Sequence, residues 1–149
     1  MSATPADAQV IMQLFELRRE TEMRKARDWF AAQFHPQSVD DIMNTLMQFG
    51  SDGNRYFRMV TSYWEMAATM VNHGAVNEQL FLETQSEMFF IFAKIHPYLE
   101  AFREKMGSPD AMRNVEALIN KSEASRKKLE AFKQRIERIR AMAMAAQKN

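Results

Sequence analysis

Three histidines, His35, His73 and His96, are the side chains best suited to metal binding or proton transfer. A di-metal carboxylate centre in a helical protein takes Glu-x-x-His on two helices and a further inward Glu on each of two others. Here the residues three positions before the histidines are Ala32, Met70 and Ala93, so the motif is missing. A zinc site takes three or four ligands at short spacings, and these histidines stand far apart. They read instead as residues near helix ends, where an imidazole favours the negative pole. With no cysteine in the chain, disulfides, thiolate ligands and a Cys nucleophile are excluded. Gly50-Ser51-Asp52-Gly53-Asn54 could approach a phosphate, but it lacks the spacing and the Lys of a phosphate-binding loop and reads as a turn. No nucleophile stands beside a base in a recognisable motif. The expectation is no metal, no cofactor and no enzymatic activity.

Charge offers two other candidates. Glu65 lies on the helix face opposite the Tyr56, Trp64 and Met70 stripe. It is expected to be solvated or to form a structural ion pair with Arg103 between helices. At the other end, residues 121–149 carry nine Lys or Arg against three Glu, while residues 1–120 are net −5. Arg126, Lys127, Lys128, Arg135 and Arg138 form a candidate polyanion-binding set. Phe132 is the only aromatic among them, which is thin for a nucleic-acid reader. The aromatics Tyr56, Phe57, Tyr63, Trp64, Phe81, Phe89, Phe90, Phe92, Tyr98 and Phe102 could line an apolar pocket, although helical spacing more often marks a core.

The elements that would position these groups are helical. A chain of 149 residues suits one domain. Four Gly and four Pro are too few for a fold of many tight turns, and thirteen Met favour helices. The pattern predicts an all-α bundle of five or six helices with a long C-terminal helix. Helices are expected over 5–34, 38–49, 55–73, 77–95 and 98–106. From Pro109 no breaker appears, which allows a last helix of up to 38 residues.

That last helix carries a heptad seam of Val115, Leu118, Leu129, Phe132, Ile136 and Ile139, weakened by Ser122 and Ser125. The seam is the expected oligomer interface, with residues 1–20 and 121–149 as coiled-coil-like extensions of the domain. The densest apolar run, Met88 to Ala93, is far short of the about 20 residues that span a bilayer. The N-terminus has no basic start and no apolar core, so a cytoplasmic location is expected.

Two stretches, Tyr56 to Asn77 and Ala93 to Arg103, resemble a bacterial family of uncharacterised all-helical proteins, a domain of unknown function. Trp64, Glu65, Gly74, Pro97 and Arg103 carry the resemblance, which spans roughly residues 24–119. It implies a helical fold and no assigned activity. Sequence and resemblance together predict a non-enzymatic interaction or oligomerisation module, either a homodimer or bound to an unidentified protein partner. The alternatives are a nucleic-acid-binding accessory protein using the basic helix, and a binder of small apolar ligands.

Overall fold

The computed structural model describes residues 1–149 and contains nine α-helices and no strand. The helical class is as expected, but the count exceeds five or six because three predicted helices are each interrupted. Each interruption has a local cause.

Helix α1 spans Pro5–Arg19, opened by a capping box between Thr4 and Asp7. At Glu20 the backbone turns extended, and the Glu20 carboxylate accepts from the Met23 amide at 2.9 Å. That cap starts α2, Thr21–Ala32, so the predicted 5–34 helix breaks inside its charged middle. Helix α3, Val39–Met47, is capped by Ser38. Helix α4, Asp52–Asn72, begins a turn before the predicted Arg55, because the Ser51 hydroxyl accepts from the Asn54 amide at 3.1 Å. The expected turn is therefore the first turn of a helix. Gly53 sits within it because a Cβ there would lie 3.3 Å from both Thr45 and Trp29.

The predicted 77–95 helix divides into α5, Glu78–Thr84, and α6, Glu87–Ile95, around Gln85 and Ser86. A 3-10 turn, His96–Tyr98, leads into α7, Leu99–Met106, which ends at Gly107 in the left-handed region. Helix α8 spans Arg113–Asn120 and α9 spans Glu123–Gln147. The uninterrupted last helix is thus corrected: the Ser122 hydroxyl accepts from the Ser125 amide at 3.1 Å and starts α9 afresh.

One cluster of 31 buried residues forms the core, with Trp64, Phe30, Phe81, Phe89 and Phe92 fully enclosed. Helix α4 is the spine, packed on α2 on one side and α8 on the other. Helix α6 is apolar almost all round and buries seven of its nine residues, with α9 lying across it. Residues 1–20 belong to this body rather than to an extension. Helix α1 packs on α2 and α5 and places Ile11 and Leu14 in the core.

Candidate interaction surface

Most polar groups singled out by type are consumed inside the molecule. Glu65 and Arg103 do not pair. Glu65 Oε1 accepts from the Asn114 amide at 2.7 Å and from Asn114 Nδ2 at 2.9 Å, and Oε2 accepts from the Val115 amide at 3.0 Å. The α8 N-terminus offers unpaired N–H groups and the positive end of a helix dipole, and the carboxylate fills that need. Asn72, two turns along α4, donates to the Asn114 carbonyl at 3.0 Å and completes the clamp. Arg103 instead donates to the Ala111 carbonyl at 3.0 Å and pairs with Glu116 at 3.2 Å. The one signal for this in the sequence is that Glu65 and Asn72 share a helix face.

Three further polar groups, Tyr63 and Lys94 buried and Glu87 half-buried, carry no sequence signature at all. Glu87, at the start of α6, takes a bidentate contact from Arg27, shortest at 2.8 Å, and a 3.1 Å contact from Arg18. It ties α6 to the α1–α2 break. The Tyr63 hydroxyl donates to the Leu14 carbonyl, and burial pushes its pKa up to about 12. The Lys94 ammonium is buried and donates to the carbonyls of Phe30 at 2.7 Å, Phe34 at 2.8 Å and Ala31 at 3.3 Å. It closes the C-terminal end of α2, and burial brings its pKa down to about 8. All three sets spend their hydrogen bonds on the protein itself.

The histidines stay apart. The rings of His35 and His73 bond to the Ala32 and Thr69 carbonyls near their helix ends. His96 meets the Lys133 ammonium, and burial followed by that charge holds it below the usual imidazole pKa. The aromatic set largely builds the core. A groove of about 840 Å³ runs between the α4–α5 turn and the α8–α9 corner, and Phe89 is the one member of that set on its wall. Only six of the sixteen lining residues are hydrophobic, and a 2.8 Å Lys121–Glu78 ion pair joins its two sides. That lining suits a polar cleft rather than an apolar-ligand pocket.

The heptad seam is split between interior and surface. Val115 and Leu118 are fully buried on α8, and Leu129 is buried against the body, so these three are spent within the chain. Phe132 and Ile136 are partly buried against the same core, Phe132 stacking on Phe89 with centroids 6.3 Å apart. Ile139 is 59% exposed, and every residue from 141 to 149 is exposed. Helix α9 outruns the body because α6 ends at Ile95 and the chain turns away through His96–Tyr98. The 11 residues from 137 to 147 extend about 16 Å past the last packed turn.

The basic set divides in the same way. Lys127 pairs with Glu123 at 3.1 Å, and Arg126 donates to the Asn120 carbonyl at 2.6 Å. Lys128 lies over Phe89 and donates to the Ser86 hydroxyl at 3.1 Å. Arg135 and Arg138 have no ion pair, and Arg135 lies over the Phe132 ring. The five residues therefore do not form one free patch. Two of them flank the exposed end of the seam.

Residues 3–122 match the family model described as Domain of unknown function (DUF4760). The chain belongs to this family. The match reaches further towards the N-terminus than the resemblance read from Trp64 to Arg103, and takes in α1. It stops at Ser122, the cap of α9, so the DUF4760 region is the body and α9 lies outside it. No curated protein and no solved structure matches the chain. No helix is long and apolar enough to cross a membrane.

Proposed function

We propose that this DUF4760 protein is a non-enzymatic interaction module that forms a homodimer through the overhanging end of α9. The observation that carries the reading is the overhang itself. Ile139, Met142 and Met144 are 59%, 70% and 55% exposed on a helix that has left its own core. Ile139, Ala143 and Ala146 continue the line of Leu129, Phe132 and Ile136 at helical spacing. The stripe is the same apolar seam, packed in its first half and uncovered in its second. An uncovered apolar helix face of this kind marks an interaction site.

The test is the solution mass of the full chain and of Ile139→Asp, measured by light scattering over a wide concentration range. The expected result is a dimer for the natural sequence and a monomer for the variant, with thermal midpoints that match at protein concentrations low enough to keep both monomeric, because Ile139 makes no core contact. A monomer at every concentration for the natural sequence would overturn the reading, as would an undiminished dimer in the variant.

A further inference from the structure

We propose that, in such a dimer, each overhang docks on the acidic α3–α7 face of the second copy. The inference rests on the reading of α9 as an interaction element and adds where its end is received.

The overhang is a basic amphipathic segment. Residues 135–149 hold Arg135, Arg138, Arg140 and Lys148 against the single acid Glu137, a net +3. Arg135 and Arg138 lie on one side of the Ile139–Ala143–Ala146 stripe and Arg140 on the other, by helical spacing. Two overhangs laid against each other would bring together two segments of net +3. Like charge across an interface is repulsive, so the segment calls for an apolar surface rimmed with carboxylates.

The chain presents two clusters of exposed apolar side chains outside α9. On α1, Met12, Phe15 and Leu17 are exposed, but the guanidinium groups of Arg18 and Arg19 lie over Phe15 at 5.3 and 5.7 Å. Both guanidinium groups are paired, with Glu87 and Glu16, and Glu20 caps α2, so that patch offers the overhang no free carboxylate. The other is carried by α3 and α7, which pack together with the start of α3 against the end of α7 through a 3.3 Å Asp40–Lys105 pair. Here Phe49 is 81% and Met47 56% exposed at the end of α3, which this antiparallel packing sets beside the start of α7 and Glu100. Segments 38–52 and 98–110 hold six acids and two basic residues. Lys105 is occupied by Asp40, and Arg103 by Glu116. Glu100 and Glu104 are exposed and have no ion pair. Glu100 and Glu104, one turn apart on α7, face the same way. One chain thus carries unpaired guanidinium groups around an apolar stripe and unpaired carboxylates around an apolar patch.

Helix α9 packs mainly on α6 and α8, and residues 141–149 are exposed throughout, so its end is covered by no face of its own chain and reaches the acidic face through a second molecule. About three helical turns make a small contact, below the about 800 Å² per partner of a stable complex. Reciprocal docking doubles it and closes the assembly as a twofold dimer. The result is a salt-sensitive association.

Two full-length variants test this: Arg135→Glu with Arg138→Glu, and Glu100→Lys with Glu104→Lys. All four positions are on the surface, and circular dichroism checks that both variants fold. Each variant alone is expected to dimerise at least about tenfold more weakly than the natural sequence, because every attraction becomes a repulsion. An equimolar mixture is expected to recover association, because the mixed dimer combines one natural contact with one in which both charges are reversed. Two other outcomes overturn the proposal in different ways. If Ile139→Asp abolishes the dimer while Glu100→Lys with Glu104→Lys leaves it intact, α9 is the dimer element but the acidic face does not receive it. If the natural sequence is monomeric, both readings fail; flotation of that monomer with phosphatidylglycerol vesicles, lost in Ile139→Asp, would assign the overhang to a lipid surface instead.

Discussion

The two halves of α9 are built to one pattern and have different environments. Up to Ile136 the apolar stripe lies on α6 and joins the core. From Ile139 onward the same stripe meets water. The body, by contrast, leaves few of its strongest polar groups free. Glu65 holds the start of α8, Glu87 holds two arginines, and Lys94 holds three carbonyls. A group whose hydrogen bonds are filled by its own chain contributes to stability. A group left unpaired on a projecting helix is available to another molecule. The difference lies in what each residue has beside it, not in residue type.

The largest expected contrast is Leu129→Asp against Ile139→Asp. Leu129 is buried, so a carboxylate there loses apolar burial and is itself desolvated, at a cost of about 4 kcal/mol or more. At protein concentrations low enough to keep both chains monomeric, Ile139→Asp should stay within about 0.5 kcal/mol in urea unfolding. Equal costs for the two would show that the overhang is packed after all.

Lys94 sharpens the comparison through pH. Its folded pKa of about 8 lies below the ordinary lysine value of 10.5. Below pH 8 the buried charge is present in the folded state and its full cost applies. As pH rises from 8 towards 10.5 the folded protein gives up the proton first, so stability rises, by up to about 3 kcal/mol. Tyr63 works in the opposite direction only above pH 10, because its folded pKa is raised to about 12. Urea midpoints between pH 8 and 10 should climb, and Lys94→Met should flatten the climb.

A smaller effect separates the two helix-bound charges. Glu65→Ala strands the Asn114 and Val115 amides and should cost about 2 kcal/mol. Arg138→Ala, with no partner in its own chain, should cost nothing measurable in the same unfolding assay. If Glu65→Ala is also silent, the α4–α8 clamp is not a stabilising contact.

Local signals in the sequence give the helical class, the caps at Thr4, Ser38 and Asn77, and the stops at Gly74 and Gly107. The breaks at Glu20, Gln85 and Ser122 are harder to read, because none involves Gly or Pro. A Glu is a good interior helix residue until its carboxylate turns back to cap the next helix. Ser122 reads as a weak seam position when the heptads run through it, and as a cap once they stop. Neither expectation for Glu65, a solvated carboxylate or an ion pair with Arg103, matches its place on the α8 N-terminus. Backbone amides at a helix start compete for a carboxylate as well as any guanidinium does, and only the path of 107–112 brings them there. The seam residues were legible as apolar and helical. How many of them the body would cover depended on where α6 ends, which is a property of another part of the chain.

Five of the nine helices, α3 and α5 to α8, have nine residues or fewer. Helices that short do not persist in water by themselves. Their long-range ties, Lys94 to Phe30 and Glu65 to Asn114, join residues 64 and 49 positions apart. Neither end of the chain can therefore settle before the other has been made. The body should fold and melt as one all-or-none unit, with no half-built intermediate to accumulate, while the final turns of α9 fray independently.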